Sequence, residues 1–183
     1  DLWPPYEMAK SNTPLEATWL FDYWNACKSG EILVGQEMMT NLNSLIDDYT
    51  SGEYIYNTDE ADLRIKFIEN CIKLTKSPFY GKPMKLMLWQ KAFIETLYSF
   101  KMQDGTDRFR RALLLIARKN TKSELSSALM FTEMILGNEG ADIVCSSNDD
   151  NQASILFNAI DTMRLMVDPL EKDTHKNQQA ISC

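Results

Sequence analysis

Histidine is nearly absent from this 183-residue chain, glycine is sparse, and no two cysteines stand close together. The cysteines are Cys27, Cys71, Cys145 and Cys183, and His175 is the single histidine. No CxxC pair exists, so the spacing argues against a zinc site and against a disulfide framework. That cysteine usage suits a reducing, cytoplasmic compartment. No apolar run reaches the roughly 18 residues needed to cross a bilayer, so no membrane partner is expected. The opening DLWPPYEMAK lacks the charged-then-apolar order of a signal peptide. It also lacks an initiator methionine, which suggests a piece of a longer protein. Cations are outnumbered as well: 19 Lys and Arg face 26 Asp and Glu, a net charge of −7. A surface that grips nucleic acid everywhere is therefore excluded, and any such role needs a local patch. The densest basic window runs from Arg108 to Lys122. Repeats and low-complexity tracts are missing too.

What is present is enough for a core. Hydrophobic residues make up 44% of the chain and charged residues 25%, which suits one domain, or one domain with an appendage. Residues 1–13 read as an extended arm, with Pro4, Pro5 and a Ser-Asn-Thr cluster. From Pro14 to Gly30, Ala17, Leu20, Phe21, Trp24 and Cys27 share one helical face. Trp19 and Tyr23 lie off it, placed to pack on a neighbour or on the same chain. A second helix is predicted over Gln36–Thr50, and a third, capped by Thr58 or Asp59, bears Leu63, Phe67, Cys71 and Leu74. SPFYGKP is a loop. A fourth helix, about Leu88–Lys101, turns Trp89, Ala92, Phe93, Leu97 and Phe100 inward.

The second half changes character. ALLLIA reads as a strand buried on both faces. A helix over about Ser123–Leu136 follows, with Leu125, Ala128, Leu129, Thr132, Ile135 and Leu136 on one side. ADIVCSS reads as a second strand, Gln152–Val167 as another helix, and the final AISC as the start of a third strand. The order βαβα predicts a parallel α/β sheet behind an N-terminal helical region. Asp47-Asp48 and Asp149-Asp150 are acidic pairs at helix ends, more consistent with capping or solvation than with a metal.

The turn after the first predicted strand reads RKNTKS, Arg118 to Ser123. Ligands of α/β sheets sit at the carboxyl ends of strands, where a helix N-terminus offers free amides and a positive dipole end. Lys122-Ser123 stands where a P-loop places its phosphate-binding lysine and its magnesium-binding hydroxyl. Against G-x-x-x-x-G-K-[ST], however, Ile116 and Thr121 hold the glycine positions. A positive φ at the β-branched Thr121 would cost about 1–3 kcal/mol. By themselves these residues describe either a phosphate loop or a basic turn capped by Ser123.

RKNTKS resembles the arginine-lysine-asparagine-glycine-lysine-serine signature of bacteriophage terminase large subunits. GKPMKLMLWQKAFIETLYSF (Gly81–Phe100) is similar to a segment that this family carries upstream. RFRRALLLIARKN, IVCSSNDDNQASILFNAIDTMR, with its run Asp150, Asn151, Gln152 and Ala153, and the early YWNACKSGEILVG also fit, so the resemblance covers almost the whole chain. It implies a partial P-loop NTPase fold with ATP and Mg²⁺ as cofactors. Trp89 and Gln90 would form an adenine-recognising element. Lys122 would neutralise phosphate, Ser123 would hold Mg²⁺, and Arg118 would stabilise the transferring phosphoryl group. Lys119, Asn120 and Thr121 would complete a degenerate Walker A loop.

The resemblance also implies double-stranded phage DNA, a small terminase subunit, a portal protein and a homo-oligomeric ring as partners, in the host cytoplasm. Residues 1–76 would be the helical region and 77–183 the first half of the ATPase domain. Two departures stand out: Thr121 where the family has glycine, and Glu124 where it has a small or apolar residue, placed to repel a triphosphate. No apolar strand ending in Asp-Glu follows residue 147, and no nuclease carboxylates are present, so the 183 residues are expected not to turn over ATP. The alternative is a non-enzymatic interaction module whose basic loop binds anions.

Overall fold

A computed structural model describes residues 12–117, 119–138, 142–146, 150–177 and 180–182, apart from the side chains of 150–153. A 3-10 turn, Leu15–Ala17, leads into α1 (Trp19–Lys28), α2 (Gln36–Ser51), β1 (Ile55–Tyr56) and α3 (Asp59–Cys71). Then come α4 (Leu88–Ser99), β2 (Phe100–Lys101), α5 (Lys122–Leu136), α6 (Asp150–Val167), β3 (His175–Lys176) and β4 (Ile181–Ser182). The predicted helices are thus all present; the first begins at Trp19 rather than at Pro14 and the third ends at Cys71, before Leu74, while the others lie close to the bounds read from the sequence.

The chain forms two compact units. One contains residues up to Ile65 together with Leu86–Leu113; the other contains Lys66–Lys85 and the chain from Leu114 on. The division falls inside α3, which contributes its first half to one unit and its second half to the other.

The first unit packs α1, α2 and α4 around Leu20, Tyr23, Cys27, Leu42, Tyr56, Ala92 and Phe100. Tyr23 is buried within the chain rather than free for a neighbour. β1 and β2 pair antiparallel, Tyr56 opposite Phe100, and these two rings meet edge to face at 4.6 Å. Glu95 of α4 is 1% exposed and staples the start of α1. Its carboxylate accepts hydrogen bonds from the amides of Trp19 and Leu20, both at 3.0 Å, and from the Tyr56 hydroxyl at 2.8 Å. Burial nevertheless pushes this carboxyl above its usual range, against the pull of those bonds.

The second unit packs α5 on α6 through Leu125, Ala128 and Phe131 on one side and Ala159, Ile160 and Met163 on the other. Arg164 of α6 is buried and bridges Asp161, Glu171 and the Thr174 carbonyl. β3 and β4 form a small antiparallel pair.

Two expectations need correction. Among the described residues there is no parallel sheet; both sheets are antiparallel and two-stranded. The described parts of ALLLIA and ADIVCSS lie in no strand and no helix. Leu113 and Leu115 are each 87% exposed and Val144 77%. An apolar run states that a segment suits burial, but a strand also needs a neighbour to take its amides and carbonyls. No described segment supplies one here. The final AISC does reach a strand, β4, but it pairs antiparallel with β3.

The face of α3 is the other correction. Leu63 is 53% exposed, and Ala61, Ile65 and Ile68 are buried instead, as is Ile72 just past the helix. Two apolar stripes overlap on this helix, and the one rich in Ile, not the one through Leu63, faces inward.

Candidate phosphate-binding turn

The backbone between Ala117 and α5 does not run straight into the helix. Lys119 has φ +68° and Thr121 φ +56° with ψ +14°, so both occupy the left-handed region. That region costs a β-branched residue strain that glycine avoids. Thr121 therefore adopts the conformation for which a P-loop uses glycine, without the glycine. The first helical hydrogen bond, from the Leu125 amide to the Thr121 carbonyl, is 2.9 Å long.

The amides of Lys122, Ser123 and Glu124 precede that bond, and a helix offers them no internal acceptor. Thr121 does not cap them, because its Oγ1 donates to the Asn120 carbonyl at 2.8 Å. Lys119 and Lys122 are exposed beside these amides, and Ser123 is half-buried in the first helical turn. Uncapped amides at the positive end of a 15-residue helix, with two exposed lysines in the same turn, are chemically suited to an anion. The donor set also suits a metal-bound triphosphate, since the Ser123 hydroxyl can serve as a hard oxygen ligand for Mg²⁺. Arg118 lies outside the described residues.

Glu124 is the residue that sequence reasoning misread. It was expected to hang over the loop and repel phosphate. Its side chain is buried, 7% exposed. Oε1 accepts from the Thr75 hydroxyl at 2.6 Å and Oε2 from the Thr75 amide at 3.2 Å. The carboxylate is thus a tether between α5 and the segment after α3. Nothing in the local sequence pairs position 124 with position 75; the signal lies only in the fold.

Trp89 and Gln90 lie in the first turn of α4, in the other unit. Trp89 is half-buried against the aromatic core of that unit. Gln90 is 2% exposed, and its Oε1 accepts from the Met87 amide at 2.8 Å. The side chain is therefore folded back onto the helix start in the manner of a capping box. Asp48, one of the acidic pair at the end of α2, is ion-paired with Arg108. Among the described residues, no cluster of three or more His, Cys, Asp or Glu side chains is placed to hold a metal.

A cation-rich left-handed turn opens an amphipathic helix in an α/β chain, an arrangement suited to an anion. Comparison with known families narrows the class. The family model described as terminase large subunit, ATPase domain, matches residues 88–178, about half of the chain. The matched span begins at α4 and includes the turn and both helices after it. The chain belongs to the terminase large subunit family, and that membership implies nucleotide use. Neither a curated protein nor a solved structure matches it.

Proposed function

We propose that this chain is the nucleotide-binding portion of a motor that packages double-stranded DNA, with the turn Arg118–Ser123 as its triphosphate site. Lys122 neutralises the β and γ phosphates, and the amides of Lys122 to Glu124 bond the phosphate oxygens. Ser123 ligates Mg²⁺, and Lys119 and Asn120 complete the cradle. Arg118 stabilises charge on the transferring phosphoryl group. The observation that carries this reading is the left-handed Thr121 directly before an uncapped helix.

In the same reading, Trp89 and Gln90 recognise the base. Gln90 Oε1 is engaged by Met87, so reading an adenine edge requires the carboxamide to leave its cap. Residues 1–76 act as a helical region ahead of the first half of the ATPase domain, 77–183, a division by role that cuts across the two compact units. The parent motor works in the host cytoplasm as a ring of copies with a small terminase subunit and a portal.

Calorimetric titration with Mg-ATP tests the site. Saturable binding is expected, weakened at least tenfold in Lys122→Ala; Lys122 is exposed, so the variant should fold. Gln90→Ala should weaken ATP but not inorganic triphosphate if the amide reads the base. Indifference of the unaltered chain to Mg-ATP overturns the proposal and leaves an interaction module with an anion-binding loop.

A further inference from the structure

The second unit carries a cationic, aromatic knuckle that the nucleotide reading does not use. Between Glu69 and Glu95 the sequence has five lysines and no Asp or Glu, in a chain whose net charge is −7. Four of them, Lys73, Lys76, Lys82 and Lys85, lie within residues 73–85 and are all exposed. None of the four is in an ion pair among the described residues. Local balance of charge is the usual state of a solvated face; here the Glu124 carboxylate fastened to Thr75 offsets a single one of the four charges.

The knuckle is built rather than loose. The Leu74 amide bonds the Lys82 carbonyl at 2.9 Å, the Gly81 amide the Leu74 carbonyl at 2.8 Å, and the Met84 amide the Ile72 carbonyl at 2.9 Å. Gly81 turns the chain at φ +78°, and Lys73 bridges Pro83. The Thr75 bonds to Glu124 fasten the knuckle to the first turn of α5. At its tip, Phe79 is 54% and Tyr80 63% exposed, and the Lys82 ammonium stands 5.3 Å from the Phe79 ring centre.

Two exposed aromatic side chains, one with the Lys82 ammonium beside its ring, in a fixed segment that carries four lysines outside any ion pair among the described residues, match one ligand chemistry. Lysines attract a phosphate backbone, and exposed rings stack on bases that are not already stacked in a duplex. We infer that residues 73–85 bind nucleic acid, with a preference for unpaired strand. An acidic protein would satisfy the lysines but give the rings nothing specific to do. The site stands on residues separate from the triphosphate turn and needs no nucleotide.

Fluorescence anisotropy with a labelled single-stranded oligonucleotide and the same sequence as duplex, without ATP, tests it. Binding is expected at low salt and should weaken steeply as salt rises. Replacing Lys73, Lys76, Lys82 and Lys85 together by alanine should weaken both ligands at least tenfold and flatten the salt dependence. Phe79→Ala with Tyr80→Ala should weaken the single strand at least fivefold and the duplex far less. Arg110→Ala with Arg111→Ala is the comparison and should change little. Circular dichroism of each variant, with calorimetry of Mg-ATP binding, separates loss of fold and failure of the nucleotide site from failure of this one. Undiminished binding by the lysine variant, a greater loss in the arginine variant, an equal loss on both ligands in the aromatic variant, or poly-glutamate bound as tightly as the oligonucleotide each overturns the inference.

Discussion

Thr121 concentrates the tension in this protein. Its left-handed backbone at φ +56° costs about 1–3 kcal/mol that a glycine would not incur. Replacing it by glycine relieves that strain but frees the unfolded chain, an opposing effect of roughly 0.5–1 kcal/mol. Thr121→Gly is therefore expected to leave stability unchanged or raise it by about 1 kcal/mol in urea unfolding, and to tighten Mg-ATP several-fold. A clear loss of stability would mean that the Thr121 hydroxyl, through its bond to the Asn120 carbonyl, holds the turn more firmly than the strain opposes it. Glu124 offers the complementary lesson. A carboxylate beside a phosphate site looks adverse in a string of letters, yet its two bonds to Thr75 commit it to holding the helix in place.

Among the elements, the end of α6 is the one whose stability is most plainly tied to pH. Asp168 accepts bonds from the amides of Lys172, Asp173 and Thr174 and from the Thr174 hydroxyl. Desolvation opposes its charge, but these donors outweigh it and hold the carboxyl at about 2, below its ordinary 3.8. A depressed folded value means that the contribution is present above about 3.8 and disappears as pH falls through about 2. Protection of the Thr174 amide relative to its intrinsic exchange rate at each pH should therefore fall across that acid window, and Asp168→Asn should show much less change across it. A protection factor that stays constant there would deny the carboxylate its organising role.

Helix boundaries with a local cause were legible where that cause was read, as at the left-handed Gly30 after α1; the start of α1 was not, since Thr18 rather than Pro14 leads into it. The buried face of α3 was not, since overlapping stripes cannot say which neighbour arrives. On α5 the reading caught Leu125, Ala128 and Thr132 but missed Phe131, Ser127 and Glu124, whose burial depends on α6 and on Thr75. The strands failed for the same reason. ALLLIA carries its hydrophobicity in its own letters, but its pairing depends on another segment. The turn at Lys119–Thr121 was readable in charge and in order, while its curvature ran against propensity and had to be seen.

For the whole molecule, the central question is how binding relates to turnover. A ligand that binds only the folded state raises stability by mass action, about 2.7 kcal/mol at a hundredfold excess over its dissociation constant. Mg-ATP should accordingly raise the melting temperature of the 183 residues, and Lys122→Ala should erase the rise. Hydrolysis asks for more than a cradle: an oriented water and a carboxylate that would help to hold the metal. The sequence after residue 147 offers no apolar strand ending in Asp-Glu to supply that carboxylate. Phosphate release over several hours is thus expected to stay at the level of Lys122→Ala, with the thermal shift intact in the unaltered chain. Lys122-dependent release of phosphate would show that these residues assemble a complete hydrolytic site, and would move the search for the activating carboxylate to Asp149, Asp150 and Glu124.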